Sequence, residues 1–380
     1  MVNYVFLSVY FYSVPNLRFT NNQLKDFKIV DICKLKQGNQ YYLKQQFTEE
    51  KSDLKRFIRI IDYTQKTNDI RYVYSNGSEN YVDCTDVVVV RYGASAGYVG
   101  RGINGIIANN LFTIRPINSA LLNKSYLYHY LNAPVIQKQL NNTQSSGMPA
   151  LNFQTINNLH ILLPEYQEQR QIAVFLDKID ERIQTQIKII NDYKILKNHI
   201  IKSFIKQNGT SYLLSEIAEL GRGRVINSAE ISKQKNPIYP VYSSQTSNNG
   251  IMGYLDNYDY EGEYITWTTD GANAGTVYYR NGKFNCTNVC GILKIKNGYD
   301  AYYISNILNC YTKKYVSTNL ANPKLMNNVM ANIKINLPSI EQQKHSSKIL
   351  QSIEYRVEIE EDIKLNLVKQ KAFLLKNMFI

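Results

Sequence analysis

Two glycine-rich stretches, Gly93-Ala-Ser-Ala-Gly97 and Gly271-Ala-Asn-Ala-Gly275, are where this sequence first suggests chemistry. Closely spaced glycines let backbone N–H groups cradle a phosphate. Neither stretch ends in the Gly-Lys-Ser/Thr of a nucleotide P-loop, and neither has the strand–GxGxxG–helix order of a dinucleotide site. They read better as tight turns between strands, where small residues permit close backbone approach and positive φ. Such a turn can also track a nucleic-acid backbone. Asn236-Pro-Ile-Tyr239 comes near the Asn-Pro-Pro-aromatic motif with which adenine-methylating enzymes hold the target amine. Its second proline is an isoleucine and no cofactor-binding glycine motif precedes it, so it reads as a surface turn. The cysteines, Cys33, Cys84, Cys286, Cys290 and Cys310, form no CxxC pair, and the histidines are scattered. That spacing offers neither a zinc site nor a disulfide framework. The cysteines read as reduced, buried apolar groups, which suits the cytoplasm. No nuclease-like carboxylate cluster and no Ser/His/Asp arrangement is suggested. The sequence predicts a noncatalytic chain that binds no metal or cofactor of its own.

The elements that would position these loops come in pairs. Leu163–Asp180 reads LPEYQEQRQIAVFLDKID, and Leu337–Glu354 reads LPSIEQQKHSSKILQSIE, at an offset of 174 residues. After each LP a long segment lacks internal Gly and Pro. Ile172, Leu176, Ile179, Ile183, Ile187, Ile190, Ile201 and Phe204 fall at three-and-four spacing in the first; Ile349, Ile353, Val357, Ile363, Leu367, Leu374 and Met378 do so in the second. A narrow apolar stripe cannot stand alone in water. The economical solution is that the two helices pair within the chain; pairing with another protein is the alternative. The glycine turns match at an offset of 178, as do Asn110 and Asn288, while Pro149, Leu151 and Ile161 match Pro323, Leu325 and Ile335 at 174. The chain is therefore a tandem duplication: globular, helix, globular, helix. Val87–Val90, Ile106–Ile114 and Glu263–Thr269 are β-branched or aromatic runs that predict strands. Short helices are expected near Ser125–Gln139 and Ala301–Tyr315. Each globular part is thus a mostly-β α+β fold. The expected organisation is a lead-in (1–24), a first globular domain (25–164), a long helix (165–206), a second globular domain (207–338) and a closing long helix (339–380).

Net charge is +13, and most of it lies outside the long helices: residues 1–164 carry +7 and 207–338 carry +3. A basic chain rich in Tyr and Asn suits a nucleic-acid partner, although an AT-rich genome also enriches Lys, Asn, Ile and Tyr. No apolar run is long enough to cross a bilayer. The apolar opening MVNYVFLSVYFYSV has no basic region before Arg18 and no small-residue cleavage pattern, so it reads as a lead-in and not a signal peptide.

With these residues in view, the chain resembles the specificity subunit of type I restriction–modification enzymes over nearly its whole length. The residues that carry the resemblance are VPNLRF (Val14–Phe19), VYSSQTSNNGIMGYL (Val241–Leu255), EGEYITWTTDGANAGTVYYRNGKFNCTNVCG (Glu261–Gly291) and both LP segments leading into long helices. The second helix departs from the pattern, because His345-Ser346-Ser347 stands where the first has apolar Ile172-Ala173. The resemblance implies two target-recognition domains that each read one half of a bipartite, asymmetric duplex DNA site. It implies an antiparallel coiled coil with pseudo-twofold repeat that acts as a ruler between them. It also implies partners: two modification (methyltransferase) subunits and restriction subunits, which would hold the S-adenosylmethionine, ATP and Mg that this chain does not bind.

Lys and Arg outside the helices would neutralise phosphates; Arg91, Arg101, Arg222, Arg224, Arg280 and Lys283 lie in or beside candidate loops. Ser95, Gln245, Asn248 and Asn273 are candidates for base edges by type and loop position, and Tyr92 and Trp267 are aromatic candidates. Two other classes fit the same features. One is a stand-alone nucleic-acid-binding protein, and the other is a coiled-coil scaffold with protein-binding heads.

Overall fold

The computed structural model describes residues 24–65, 67–141, 149–206, 209–317 and 322–379, so the lead-in before Leu24 and its VPNLRF stretch lie outside the described residues. The chain divides into two compact units: Met1–Ile187 with Asp362–Ile380, and Lys188–Glu361.

In the first unit a four-stranded sheet has the order Cys33–Gln37, Leu111–Pro116, Val87–Val90, Val99–Gly100. A second has the order Arg71–Tyr74, Leu54–Ile58, Gly105–Ile107, Tyr81–Val82. Val87–Val90 is a continuous β-branched run because both of its faces are covered. Val87 and Val89 enter one apolar cluster with Phe112 and Leu127, while Val88 and Val90 enter another with Ile58 and Ile107. A short strand, Lys25–Lys28, pairs antiparallel with His160–Leu163, which leads into the first long helix.

The second unit carries a six-stranded sheet ordered Ala218–Arg222, Cys290–Ile295, Tyr260–Thr268, Val277–Cys286, Tyr239–Tyr242, Ile251–Leu255. Trp267 lies in the core it shares with Val277, Leu293 and Tyr303. Thr210–Leu213 pairs antiparallel with Lys334–Leu337, the same device that precedes the helix in the first unit.

The long helices span Tyr166–Ile205 and Ile340–Met378. Within the first unit, Leu375 and Phe379 share the core with Ile172 and Leu176, and Lys371 Nζ meets Asp180 Oδ1 at 2.5 Å. Within the second, Ile201 and Leu350 share a cluster, Lys197 pairs with Glu354, and Lys194 Nζ meets Glu361 at 2.7 Å. The polar departure His345-Ser346-Ser347 does not open this packing. Ser346 and Ser347 are buried, and the Ser347 hydroxyl donates to Asp300 Oδ1 at 2.7 Å.

Three expectations need correction. The run Ile106–Ile114 is two strands, because Asn109-Asn110 turns the chain and the Leu111 N–H closes on the Ala108 carbonyl at 2.9 Å. The helix expected over Ser125–Gln139 is two helices, Lys124–Leu131 and Pro134–Asn141; the break sits where Pro134 has no N–H to continue the ladder. Two of the five cysteines expected to be buried, Cys84 and Cys310, are exposed. The Ala301–Tyr315 segment is helical, closing in a tighter 3₁₀ turn over Thr312–Tyr315. Among the described residues no helix is long and apolar enough to cross a membrane.

Candidate nucleic-acid interface

The two glycine stretches form the same turn. Gly93 and Gly97 have φ of 89° and 90°, and Gly271 and Gly275 have 89° and 79°. In each, the second glycine N–H bonds back to the strand before the turn (Gly97 to Val90, Gly275 to Thr268), and the first donates to a proline carbonyl (Gly93 to Pro149, Gly271 to Pro323). Both glycine N–H groups are thus committed to backbone carbonyls and are not free to cradle a phosphate. The turn's work is to present what it carries: Ser95, half-buried, in one unit and Asn273, exposed, in the other.

The six basic candidates divide by their partners. Arg101 bonds Asp177 Oδ1 at 2.5 Å and sits 3.5 Å from Asp180. Arg224 is held by Glu230 at 2.6 Å and Asp259 at 3.1 Å. Both guanidiniums face carboxylates; Arg101 is a partly buried internal tie, whereas Arg224 is exposed between its two acidic partners. Arg222 lies 4.0 Å from Asp270, and Lys283 lies 3.7 Å from Glu261 and over the Tyr258 ring; both are exposed enough to turn outward. Arg91 and Arg280 have no carboxylate partner among the described residues. Each is stacked on aromatic rings: Arg91 over Tyr92 at 4.8 Å and Phe153 at 4.3 Å, Arg280 over Tyr242 at 3.5 Å and Tyr278 at 4.4 Å.

Of the remaining candidates, Trp267 is corrected to a core residue. It is fully buried, and its indole N–H donates to the Leu325 carbonyl at 3.0 Å, so no base can reach it. Gln245 is half-buried and turns its amide back onto the Ile251 carbonyl. Asn248 is exposed on the turn joining Tyr239–Tyr242 to Ile251–Leu255, and Asn273 donates to Thr246 Oγ1 on that turn at 3.1 Å. The structure thus brings Gln245, Asn248, Asn273 and Arg280 together at one edge of the second unit. Asn236-Pro237 is exposed and leads into the strand beginning at Tyr239, with the Asn236 N–H bound to Asp256 at 2.8 Å.

Arg101 belongs to a joint between the first unit's sheet and the long helices. Asp177 accepts from Arg101, from the Ser125 hydroxyl at 2.7 Å and from His129 Nε2 at 2.8 Å. Because a carboxylate only accepts, Nε2 carries the proton. Burial pushes the Asp177 carboxyl upward, but the bonds from His129, Arg101 and Ser125 outweigh it and hold the group well below the usual range. Burial pulls His129 below its ordinary value, and neighbouring Lys371 and Arg101 add to that against the pull of Asp177. His129, Asp177 and Asp180 could in principle offer ligand atoms within 4.8 Å of one another. Their carboxylates already face a guanidinium and the Lys371 ammonium, so a divalent cation would have to displace two fixed charges. The cluster reads as a salt-linked joint.

A groove of about 610 Å³ in the first unit lies outside every sequence candidate. Glu50, Lys51, Lys55, Arg56, Tyr81 and Asn104 line it. Lys51 and Lys55 are exposed and have no ion pair among the described residues. The signal was present in Lys55-Arg56 on the Leu54–Ile58 strand, where the two sit between the buried Leu54 and Phe57. Without the sheet order nothing joined them to Tyr81 and Asn104.

The family model described as "Type I restriction modification DNA specificity domain" matches the chain twice, over residues 21–192 and 208–370. A Mycoplasma pneumoniae protein assigned as a type I specificity subunit is 34% identical over 226 residues, covering 57% of this chain and 82% of that protein. The specificity subunit of the type I restriction enzyme MpnII from the same organism is 42% identical over 146 residues, covering 38% of this chain and 43% of its own length. The crystal structure of a type I restriction-modification S subunit from M. genitalium shares the fold, with a TM-score of 0.63 at 17% identity over 96% of this chain and 99% of that one.

Proposed function

Because the chain belongs to the type I restriction–modification DNA specificity family, whose role is recognition and not catalysis, we propose that its two globular domains each read one half of a bipartite, asymmetric duplex site. On this reading residues 25–164 and 207–338 are the target-recognition domains. Residues 165–206 and 339–380 form an antiparallel coiled coil that fixes the spacing between half-sites, in a pseudo-twofold repeat. Two modification subunits and the restriction subunits dock on this chain in the cytoplasm. S-adenosylmethionine, ATP and Mg belong to those partners.

The observation that carries the reading is a repeated frame with unlike surfaces. The family model matches twice, and the same glycine turn recurs in both units. Yet one unit offers exposed lysines beside a glutamate and an arginine along a groove, and the other offers neutral amides and hydroxyls on a turn. Two different readers on one chain need no palindrome, unlike a dimer of identical readers. Support for the antiparallel pairing comes from the order of the helix contacts. Asp180 meets Lys371, while further along the first helix Lys194 meets Glu361 and Lys197 meets Glu354, earlier in the second.

Inserting one heptad after Ile187 and one after Glu361 tests this. Seven residues add about 10 Å of helix, or roughly three base pairs. Methylation mapping of the reconstituted complex should show both half-sites kept and the spacer lengthened. Altered half-sites at an unchanged spacer would refute the ruler. A protein-binding scaffold would instead show no steep fall of DNA affinity with salt.

A further inference from the structure

Resting on that reading and deepening it, we infer that Asn248 is a base-reading residue of the second domain and that Arg280 is the positioning residue that aims it.

The turn from Ser243 to Gly250 is closed at its base by the Ser243 N–H on the Gly250 carbonyl at 2.9 Å. At its tip, Asn248 and Asn249 have φ of 48° and 55°, the only non-glycine residues with positive φ among the described residues. Asparagine tolerates this left-handed geometry better than other residues, but two in succession persist only where surrounding contacts over-determine them. Thr246 to Asn249 are exposed and uncharged. An uncharged tip of hydroxyls and amides brings no positive charge to a phosphate but offers the paired donors and acceptors that base edges require. An asparagine amide can pair with both N6 and N7 of adenine in the major groove.

Arg280 lies beneath the tip and is 6% exposed. Its Nη2 donates to the Asn249 carbonyl at 2.8 Å and its Nε to Thr266 Oγ1 at 3.2 Å, with the guanidinium face against Tyr242 and Tyr278. A phosphate would need an outward-facing guanidinium, and this one is enclosed. What a flat, multi-donor cation does here is join the strained tip to the sheet in one orientation. Gly250 enforces the fit, since a Cβ there would come within 3.2 Å of Arg280 Nη2. Asn273 braces the other side through Thr246.

The test uses the full chain reconstituted with its modification subunits and a plasmid library randomised at both half-sites, with methylated sites read by sequencing. Arg280→Lys keeps the charge and loses the fork; Asn248→Gly removes the reader's side chain and keeps a residue at ease in the left-handed backbone. Both should lose about tenfold discrimination at the same one or two positions of the second half-site, with the first half-site unchanged. Arg280→Gln should leave the slope of log affinity against log salt as in the wild type. A slope shallower by about 1 would make Arg280 a phosphate contact and overturn its positioning role. Uniformly weaker methylation with unaltered base preference in Arg280→Lys would overturn that role as well. An unaltered preference in Asn248→Gly would overturn the reader. If the wild-type complex shows no base preference in either half-site, the recognition reading itself fails, independently of these two residues.

Discussion

The two units fasten their sheets to the long helices at matching positions but with different chemistry. Asp180 and Lys371 in the first unit correspond, at the 174-residue offset, to Glu354 and Lys197 in the second, and both pairs form ion pairs. Around the first pair stand Arg101, His129 and Asp177. At the equivalent places in the second stand Tyr279 and Gln351, by the 178- and 174-residue offsets, and Asn306, which follows the helix N-cap Asp300 at the distance His129 follows the N-cap Asn123. There Glu354 is instead bonded by the Tyr302 hydroxyl, and Tyr279 bonds Glu263. The frame and its ion pair are common and the rest of the joint is not: one surrounds the pair with further charges, the other with phenols. Sequence can therefore diverge at the joint as long as each carboxylate on a helix keeps a donor on the sheet side.

The largest expected difference follows directly. Asp177→Ala strips Arg101 and His129 of a partly buried partner and should destabilise the first unit by about 2–3 kcal/mol. Glu354→Ala removes a more exposed carboxylate and should cost the second about 1 kcal/mol. Hydrogen exchange on the whole chain reads both, through the Lys124–Leu131 and Ala301–Tyr311 helices. Equal losses would erase the distinction between the joints.

Acid should sharpen it. The unfolded chain protonates His129 as pH falls through its ordinary value of 6.5, while the folded joint holds the ring neutral to lower pH. Stability of the first unit therefore drops as pH falls below that value, by at most about 1.4 kcal/mol per pH unit. The depressed Asp177 adds stability that is fully present above its ordinary 3.8 and is lost only as pH falls through its lower folded value. Between pH 8 and 5, exchange protection of Lys124–Leu131 should decline and that of Ala301–Tyr311, which carries Asn306, should not. His129→Asn should flatten the decline.

Ser347→Ala tests a single buried hydrogen bond. It restores the residue type that Ala173 holds in the first helix and removes one hydrogen bond to Asp300, with a cost of about 1 kcal/mol. A change in melting temperature too small to measure would mean that the buried hydroxyl only fills space.

The parts legible in the sequence are those with a period or a repeat. The apolar stripes after each LP could belong only to helices, and the glycine turns announced themselves by their recurrence. Runs of apolar residues were less telling. Ile106–Ile114 concealed a turn at Asn109-Asn110, because a buried strand and a buried turn share composition. Residue type alone made Arg101 a phosphate contact, but its partner Asp177 lies 76 positions away and only packing brings them together. Trp267 looked available for stacking, yet the sheet puts it in the core. Arg280 was legible as important but not in its role, which depends on a backbone carbonyl 31 positions away.

The claim that each unit owns one half of the address is tested most directly by replacing residues 210–337 with the corresponding segment of a relative of different specificity, then mapping adenine methylation in the reconstituted complex. The account predicts a changed second half-site beside an unchanged first half-site and spacer. A change in both half-sites, or in neither, would contradict it.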